Sequence, residues 1–200
     1  MTVKTVFCGA VLVVAGMVAF HAPAFGAAGR VAGAAAAVRV FASAQPARLD
    51  APNVVIISSR LVTAGQPTRS ALASLGSQGF AADIYLAPPS VADAVHDEAA
   101  IVERQGMAYL DIPINFQRPT AADFTAFSSA MKKFEGRKVL VHCQLNMRAS
   151  SMVFLYRVIV GGEDPEQAYT AVTRVWVPDR QWRAFMVRRL RKHHIAFEPY

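Results

Sequence analysis

Short apolar, β-branched runs alternate with helical segments from Asn53 onward, and this alternation restricts the fold more than any other feature. Val54-Val55-Ile56-Ile57 reads as a strand, with Leu61-Val62-Thr63-Ala64 close behind it. Gly65-Gln66-Pro67-Thr68 is a turn, and Thr68 is a suitable N-cap for a helix that carries Leu72 and Leu75 and stops near Gly79. Phe80 to Leu86 is a second apolar stretch, broken by Pro88-Pro89. Ser90 is placed to cap a helix through Val91, Val95, Ala99 and Val102, ending at Gly106. Met107 to Ile112 reads as a strand and Pro113 to Pro119 as a loop. Thr120 caps a helix with Phe124, Phe127, Met131 and Phe134 on one face. Lys138 to His142 is a strand, helical periodicity runs from Ala149 to Val160 and resumes after Asp164-Pro165, and a last basic helix covers Arg180 to His193. This order predicts an α/β fold: three layers, α/β/α, around a central, mainly parallel sheet of about four or five strands. Ligands of such sheets sit where strands end and helices begin, which directs attention to the junction after Val141.

The first 28 residues have a different texture. Lys4 precedes an uncharged apolar stretch, Thr5 to Phe20, and small residues follow at Ala22-Pro23-Ala24 and Gly26-Ala27-Ala28. That is the order of a secretory signal peptide, cleaved after Ala24, Gly26 or Ala28. The stretch is shorter than the ~20 residues of a spanning helix, so cleavage is expected over retention as an N-terminal membrane anchor. Residues 29–50 are Ala-rich without a sustained amphipathic face and read as a linker, leaving residues 51–200 as the folded domain. The expected location is therefore exported, periplasmic or secreted. Loss of Cys8 with the signal leaves Cys143 alone, which excludes an internal disulfide and a cysteine-rich zinc knuckle.

The junction after Val141 reads His142-Cys143-Gln144-Leu145-Asn146-Met147-Arg148-Ala149-Ser150. Successive backbone N–H groups in a strand-to-helix loop converge on one point and bind an anion, and the helix N-terminus adds partial positive charge. Both favour thiolate over thiol at a cysteine placed there. Arg148 can offer a planar, bidentate donor to a tetrahedral oxyanion. Together these residues form a nucleophile within an oxyanion cradle.

His-Cys followed by Arg after a Val/Leu strand resembles the signature loop of the cysteine-dependent protein tyrosine and dual-specificity phosphatase superfamily. More narrowly, the chain is similar to bacterial phosphatase-like domains related to those of beta-lactamase-hydrolase-like proteins. Gly65-Gln66-Pro67-Thr68, Tyr109-Leu110-Asp111-Ile112-Pro113 and the stretch from Lys138 to Arg157 carry the resemblance. It implies a protein tyrosine phosphatase-like fold and hydrolysis of phosphoric esters through a cysteinyl-phosphate at Cys143. Arg148 would bind the phosphate, His142 would orient the thiolate, and Ser150 would hydrogen-bond the departing sulfur. Gln144, Leu145, Asn146, Met147 and Ala149 would complete the substrate-binding loop, with no cofactor and no metal.

The loop is one residue shorter than is usual in the superfamily and holds no glycine; Asn146 is the member that best tolerates the left-handed region. The same spacing occurs in rhodanese-like sulfurtransferases, which keeps a persulfide carrier as an alternative, beside a catalytically weak phosphate-binding protein. Where the superfamily places its general acid this chain has Asn115, next to Phe116. Asp111 is the nearest carboxyl candidate, whereas Asp123 fits a helix first turn. Without an acid, aryl phosphates should react and alkyl phosphates hardly at all. His21 falls in the signal segment, His96 on a polar helix face, and His193-His194 form a local pair without carboxylates, so no metal site is expected among them. From Asp179 onward six Arg and Lys residues face two acidic ones. Trp182, Phe185, Met186 and Leu190 recur at helical spacing and should pack inward. The basic face could make weak contact with an anionic membrane surface. The expected partner is a phosphorylated small molecule or phosphoprotein, and nucleic acid is not expected.

Overall fold

The structure, a computed structural model, describes residues 49–200. The expected signal peptide and all but the last two linker residues lie outside the described residues. The elements run β1 (Val55–Ser58), β2 (Leu61–Ala64), α1 (Arg69–Leu72), a 3-10 turn (Gly76–Gln78), β3 (Phe80–Tyr85), α2 (Glu98–Glu103), β4 (Ala108–Asp111), α3 (Ala121–Lys133), β5 (Lys138–His142), α4 (Met147–Ile159), α5 (Pro165–Thr173) and α6 (Arg180–Lys192). The five strands form one sheet in the order β1-β2-β5-β3-β4. Only β1 is antiparallel to its neighbour; β2, β5, β3 and β4 are parallel. This is the expected α/β sheet flanked by helices.

Alternation along β5 builds the two sides. Val139 and Val141 join the larger apolar cluster, which contains Phe127 of α3, Phe154 of α4, Tyr169 of α5 and Trp182 of α6. Leu140 joins the smaller one, with Val62, Leu72, Leu75, Ile101 and Val102. The inward face expected for α6 is present: Trp182, Phe185, Met186 and Leu190 are all buried. Leu49 is buried in the smaller cluster, and Asp50 accepts hydrogen bonds from the Thr68 backbone and hydroxyl. The folded body therefore includes these two residues of the 29–50 segment.

Two expected helices differ in length. The helix expected from Ser90 to Gly106 forms only over Glu98–Glu103. Residues 88–97 instead make turns, with Val91 N–H donating to Pro88 and Ala94 N–H to Val91. Asp97, at the N-cap, makes no capping bond because its carboxylate is paired with Arg69. The helix after Thr68 is a single turn, followed by the 3-10 turn and Gly79 at φ 81°. By contrast, α3 starts where its signals place it, with a reciprocal capping box between Thr120 and Asp123.

The register of the parallel strands sets the site. Ala64 of β2, His142 of β5, Tyr85 of β3 and Asp111 of β4 align in one row at the C-terminal edge. Beyond that row lie the turn at residues 65–68, the loop at residues 143–146 and the loop at residues 112–120.

Candidate active site

Cys143 leaves β5 fully buried, its N–H donating to Ala64 O at 3.3 Å. The next carbonyls are each engaged away from the loop centre. Gln144 O accepts from Gln66 N–H at 3.0 Å, Leu145 O from Asn53 Nδ2 at 3.0 Å, and Asn146 O from Ser150 N–H at 2.9 Å as α4 begins. A lone antiparallel bridge between Gly65 and Leu145 ties the loop to the end of β2. The N–H groups of Gln144, Leu145, Met147, Arg148 and Ala149 donate to no acceptor among the described residues. A peptide whose carbonyl is held on one side presents its N–H on the other, so this row of free donors gathers at a helix N-terminus, an arrangement suited to an anion.

Asn146 makes the short loop possible. It is the α4 N-cap at φ 67°, a left-handed conformation that Asn adopts more readily than most residues. Its side-chain amide donates to Asn53 O at 2.6 Å and to Thr63 Oγ1 at 3.0 Å. Asn53 is also left-handed, at φ 49°, so the two asparagines brace each other across the loop. Gly65 lies beside this brace, its N–H donating to Pro52 O at 2.7 Å. A Cβ there would come within 2.8 Å of both Gln144 O and Pro52 Cβ, so the close approach requires glycine.

Arg148 is buried on the first turn of α4. Its Nε donates to Ile114 O at 2.9 Å, and its guanidinium lies over the Phe116 ring, 5.2 Å from the centroid. Nε is thereby spent on the 112–120 loop, and the terminal nitrogens of the fork remain for an oxyanion. The Ser150 hydroxyl donates to Met147 O at 3.2 Å, so it serves its own helix in this arrangement. Gln144 and Met147 are half-buried, Leu145 is exposed on the rim, and Ala149 is buried in the α4 core face.

Asp111 stands at the end of β4, exposed, two strands from His142 in the aligned row. Partial burial, assisted by Glu98, raises its pKa above the usual carboxylate range, the direction a general acid needs. Among the described residues no hydrogen bond ties it to Cys143 or Arg148. Asn115 is exposed, and its side-chain carbonyl accepts from Gln117 N–H at 2.9 Å, closing a turn. Asp123 is the capping residue described above and takes no part in the site.

His142 faces a group that local sequence did not reveal. Its Nε2 lies 2.7 Å from Glu98 Oε1 and 3.2 Å from Asp83 Oδ1, all three side chains being buried. Burial alone would lower the imidazole pKa, but Asp83 and Glu98 reverse this and push it up to about 10. Burial raises the Asp83 pKa, against the pull of His142. The two acidic side chains thus favour the protonated ring over the neutral one. Gln66 adds a neutral link, donating from Nε2 to Glu98 Oε2 at 2.7 Å. Asp83, Glu98 and His142 are also the described histidine–carboxylate group whose donor atoms lie within 4.8 Å of one another, so they are the residues that could hold a cation. The ring of Tyr85 stacks on His142 with centroids 4.9 Å apart. The Tyr85 phenol is pushed up by burial, then by Glu98, Asp93 and Cys143. Asp83, Tyr85, Glu98 and Asn53 were not singled out from sequence, because strand register and helix packing bring them to the junction.

A sheet with one antiparallel edge strand, ending in a Cys-to-Arg loop that opens a helix, defines the protein tyrosine phosphatase-like class of fold. The chain belongs to the family described as DSP-PTPase phosphatase fused to NAD+ kinase, which matches residues 44–187. The DUF442 protein of Shewanella putrefaciens CN-32 is similar at 31% identity and a TM-score of 0.65, over 71% of this chain and 91% of that one. A beta-lactamase hydrolase-like protein of Xylella fastidiosa is 34% identical over 112 residues, 54% of this chain. The chain matches 26% of that relative's length. Tk-PTP in its active form shares the fold at 19% identity, with a TM-score of 0.58 over 70% of this chain and 97% of that one.

Proposed function

We propose that the protein hydrolyses phosphate monoesters, with Cys143 as nucleophile and Arg148 as the phosphate-binding residue. The observation that carries this reading is the row of unengaged N–H groups between Gln144 and Ala149, with the intervening carbonyls held away from it. In the first step the Cys143 Sγ–P bond forms as the ester P–O bond breaks, and the leaving oxygen takes the electron pair. In the second, water attacks phosphorus, the S–P bond breaks, and the thiolate returns. The N–H groups and the Arg148 fork carry the charge of the equatorial oxygens in both steps. Asn115 where an acid is expected favours aryl phosphates, whose phenolates leave without prior protonation. Asp111 is the candidate donor for poorer leaving groups, once substrate brings the loops together. Structural neighbours carry ligands of the expected class: TpbA from P. aeruginosa is in complex with pTyr, and PTPMT1 with PI(5)P.

The test is hydrolysis of an aryl phosphate, together with protection of Cys143 from iodoacetamide by vanadate. Cys143→Ser should abolish turnover. Arg148→Lys should weaken vanadate protection at least about tenfold, since an ammonium cannot reproduce the bidentate fork. Undiminished turnover in Cys143→Ser would exclude the mechanism. A stable gain of one sulfur atom at Cys143 after treatment with a sulfur donor, without phosphate release, would favour the persulfide carrier instead. We also propose export with cleavage of the N-terminal segment; N-terminal sequencing from an exporting host should find a start between Phe25 and Arg30, and Met1 retained in the membrane fraction would refute cleavage and favour an N-terminal membrane anchor.

A further inference from the structure

Resting on that reading, we propose that Trp182 of α6 is a positioning residue for phosphate binding, acting on Arg148 through the 112–120 loop. That loop begins as a continuation of the sheet ladder, with Ile112 N–H donating to Tyr85 O and Ile114 N–H to Leu86 O. Past Ile114 the ladder ends. Residues 115–118 close a turn of their own, with Arg118 N–H donating to Asn115 O. What fixes the turn to the body comes from consecutive residues of α6. Trp182 Nε1 donates to Phe116 O at 2.9 Å, and the Gln181 amide donates to the Gln117 side chain.

The two ends of the segment meet at Arg148. Ile114 supplies the carbonyl that holds Nε, and Phe116 supplies the ring beneath the guanidinium. The Phe116 ring is itself held by two indoles, with centroids 5.7 Å from Trp176 and 5.8 Å from Trp182. Arginine has a long side chain with several rotatable bonds, and a bidentate grip needs its fork held in place before the anion arrives. The contacts that hold it end on Trp182. The indole is fully buried, and its helix start is fixed by Asp179, whose carboxylate accepts from Trp182 N–H at 3.2 Å.

Trp182→Phe keeps an aromatic ring in the core and deletes that N–H. The experiment compares it with Leu190→Val, a core substitution two turns further along the same helix. Both should lower the melting temperature. The readout is the vanadate concentration that half-protects Cys143 from iodoacetamide, with the unprotected alkylation rate as reference. The expectation for Trp182→Phe is a rise of about five- to tenfold in that concentration with the unprotected rate unchanged, the scale of one buried hydrogen bond. Leu190→Val should leave it within about twofold of wild type. Half-protection unaltered in Trp182→Phe, or raised equally in both variants, would overturn the proposal while leaving the phosphatase reading in place. A wild-type protein that vanadate does not protect would end both.

Discussion

Single atoms decide the shape of the loop that holds Cys143. At Gly65 the backbone passes so close to Gln144 and Pro52 that one added methyl group has no room, since the carbonyl it meets is the one that turns the loop outward. Gly65→Ala should therefore cost about 1–3 kcal/mol of stability, the range for overpacking a tight site. It should also weaken vanadate protection of Cys143, because relief of the clash moves Gln144. Chemical denaturation and the alkylation assay read the two effects separately. Asn146 is the complementary case, where a side chain is required. Asn146→Gly keeps the left-handed backbone accessible but deletes both bonds to the β1–β2 side, so anion binding should suffer more than helix formation in α4. Circular dichroism unchanged beside a clear loss of vanadate protection is the expected pattern. Both residues lie in stretches that sequence reading had singled out, and Asn146 was named for its tolerance of the left-handed region. What sequence could not supply was the partner, Asn53, which lies more than ninety residues earlier in the chain.

At the scale of elements, the best-read segments are those whose signals are local. The α3 helix is fixed by Thr120 and Asp123 within its own first turn, and Thr120→Ala should cost about 1 kcal/mol by thermal or urea unfolding. The β5 strand and α4 were legible for the same reason: a continuous apolar run ends at a cysteine, and helical spacing follows. The segment from Ser90 to Asp97 shows the limit. Its valines recur at helical spacing, yet the carboxylate that could cap the helix is drawn to Arg69, a partner that local pattern does not show. The α6 helix combines both lessons. Its apolar face was readable from spacing, whereas the use of its basic face was not. Arg183 and Arg191 are engaged by Glu198, which leaves Arg180, Arg188, Arg189 and Lys192 as the more available charges. Reversing Arg188 and Arg189 to Glu should change the melting temperature little, since surface charges away from such pairs carry little stability. A large loss would show that the charges, rather than Trp182, Phe185, Met186 and Leu190, hold the helix down.

For the molecule as a whole, the buried His142 group ties stability to pH. The folded pKa of His142 is raised to about 10 against an ordinary value of 6.5, so its contribution is fully present below the ordinary value and is lost as pH rises through the folded one. Asp83, also raised, acts with the same sign. Melting temperature should therefore fall steadily from about pH 7 to 10 as His142 gives up its proton beside Asp83 and Glu98. Glu98→Gln should flatten that slope, and a wild-type profile already flat over the range would show the ring to be neutral throughout. The brace between Asn53 and Asn146 has a different consequence, one of timing. The rim of the cradle is drawn from residues 50–53, from residues 64–66 and from a loop whose cysteine emerges from the ribosome roughly ninety residues later, at least several seconds at ~5–20 residues per second. During that interval the early half of the chain holds its glycine and asparagine ready with nothing to grip. Cys143 is thus exposed at first and enclosed only by long-range docking, so its widest exposure to a chaperone or an oxidant comes before the two asparagines meet.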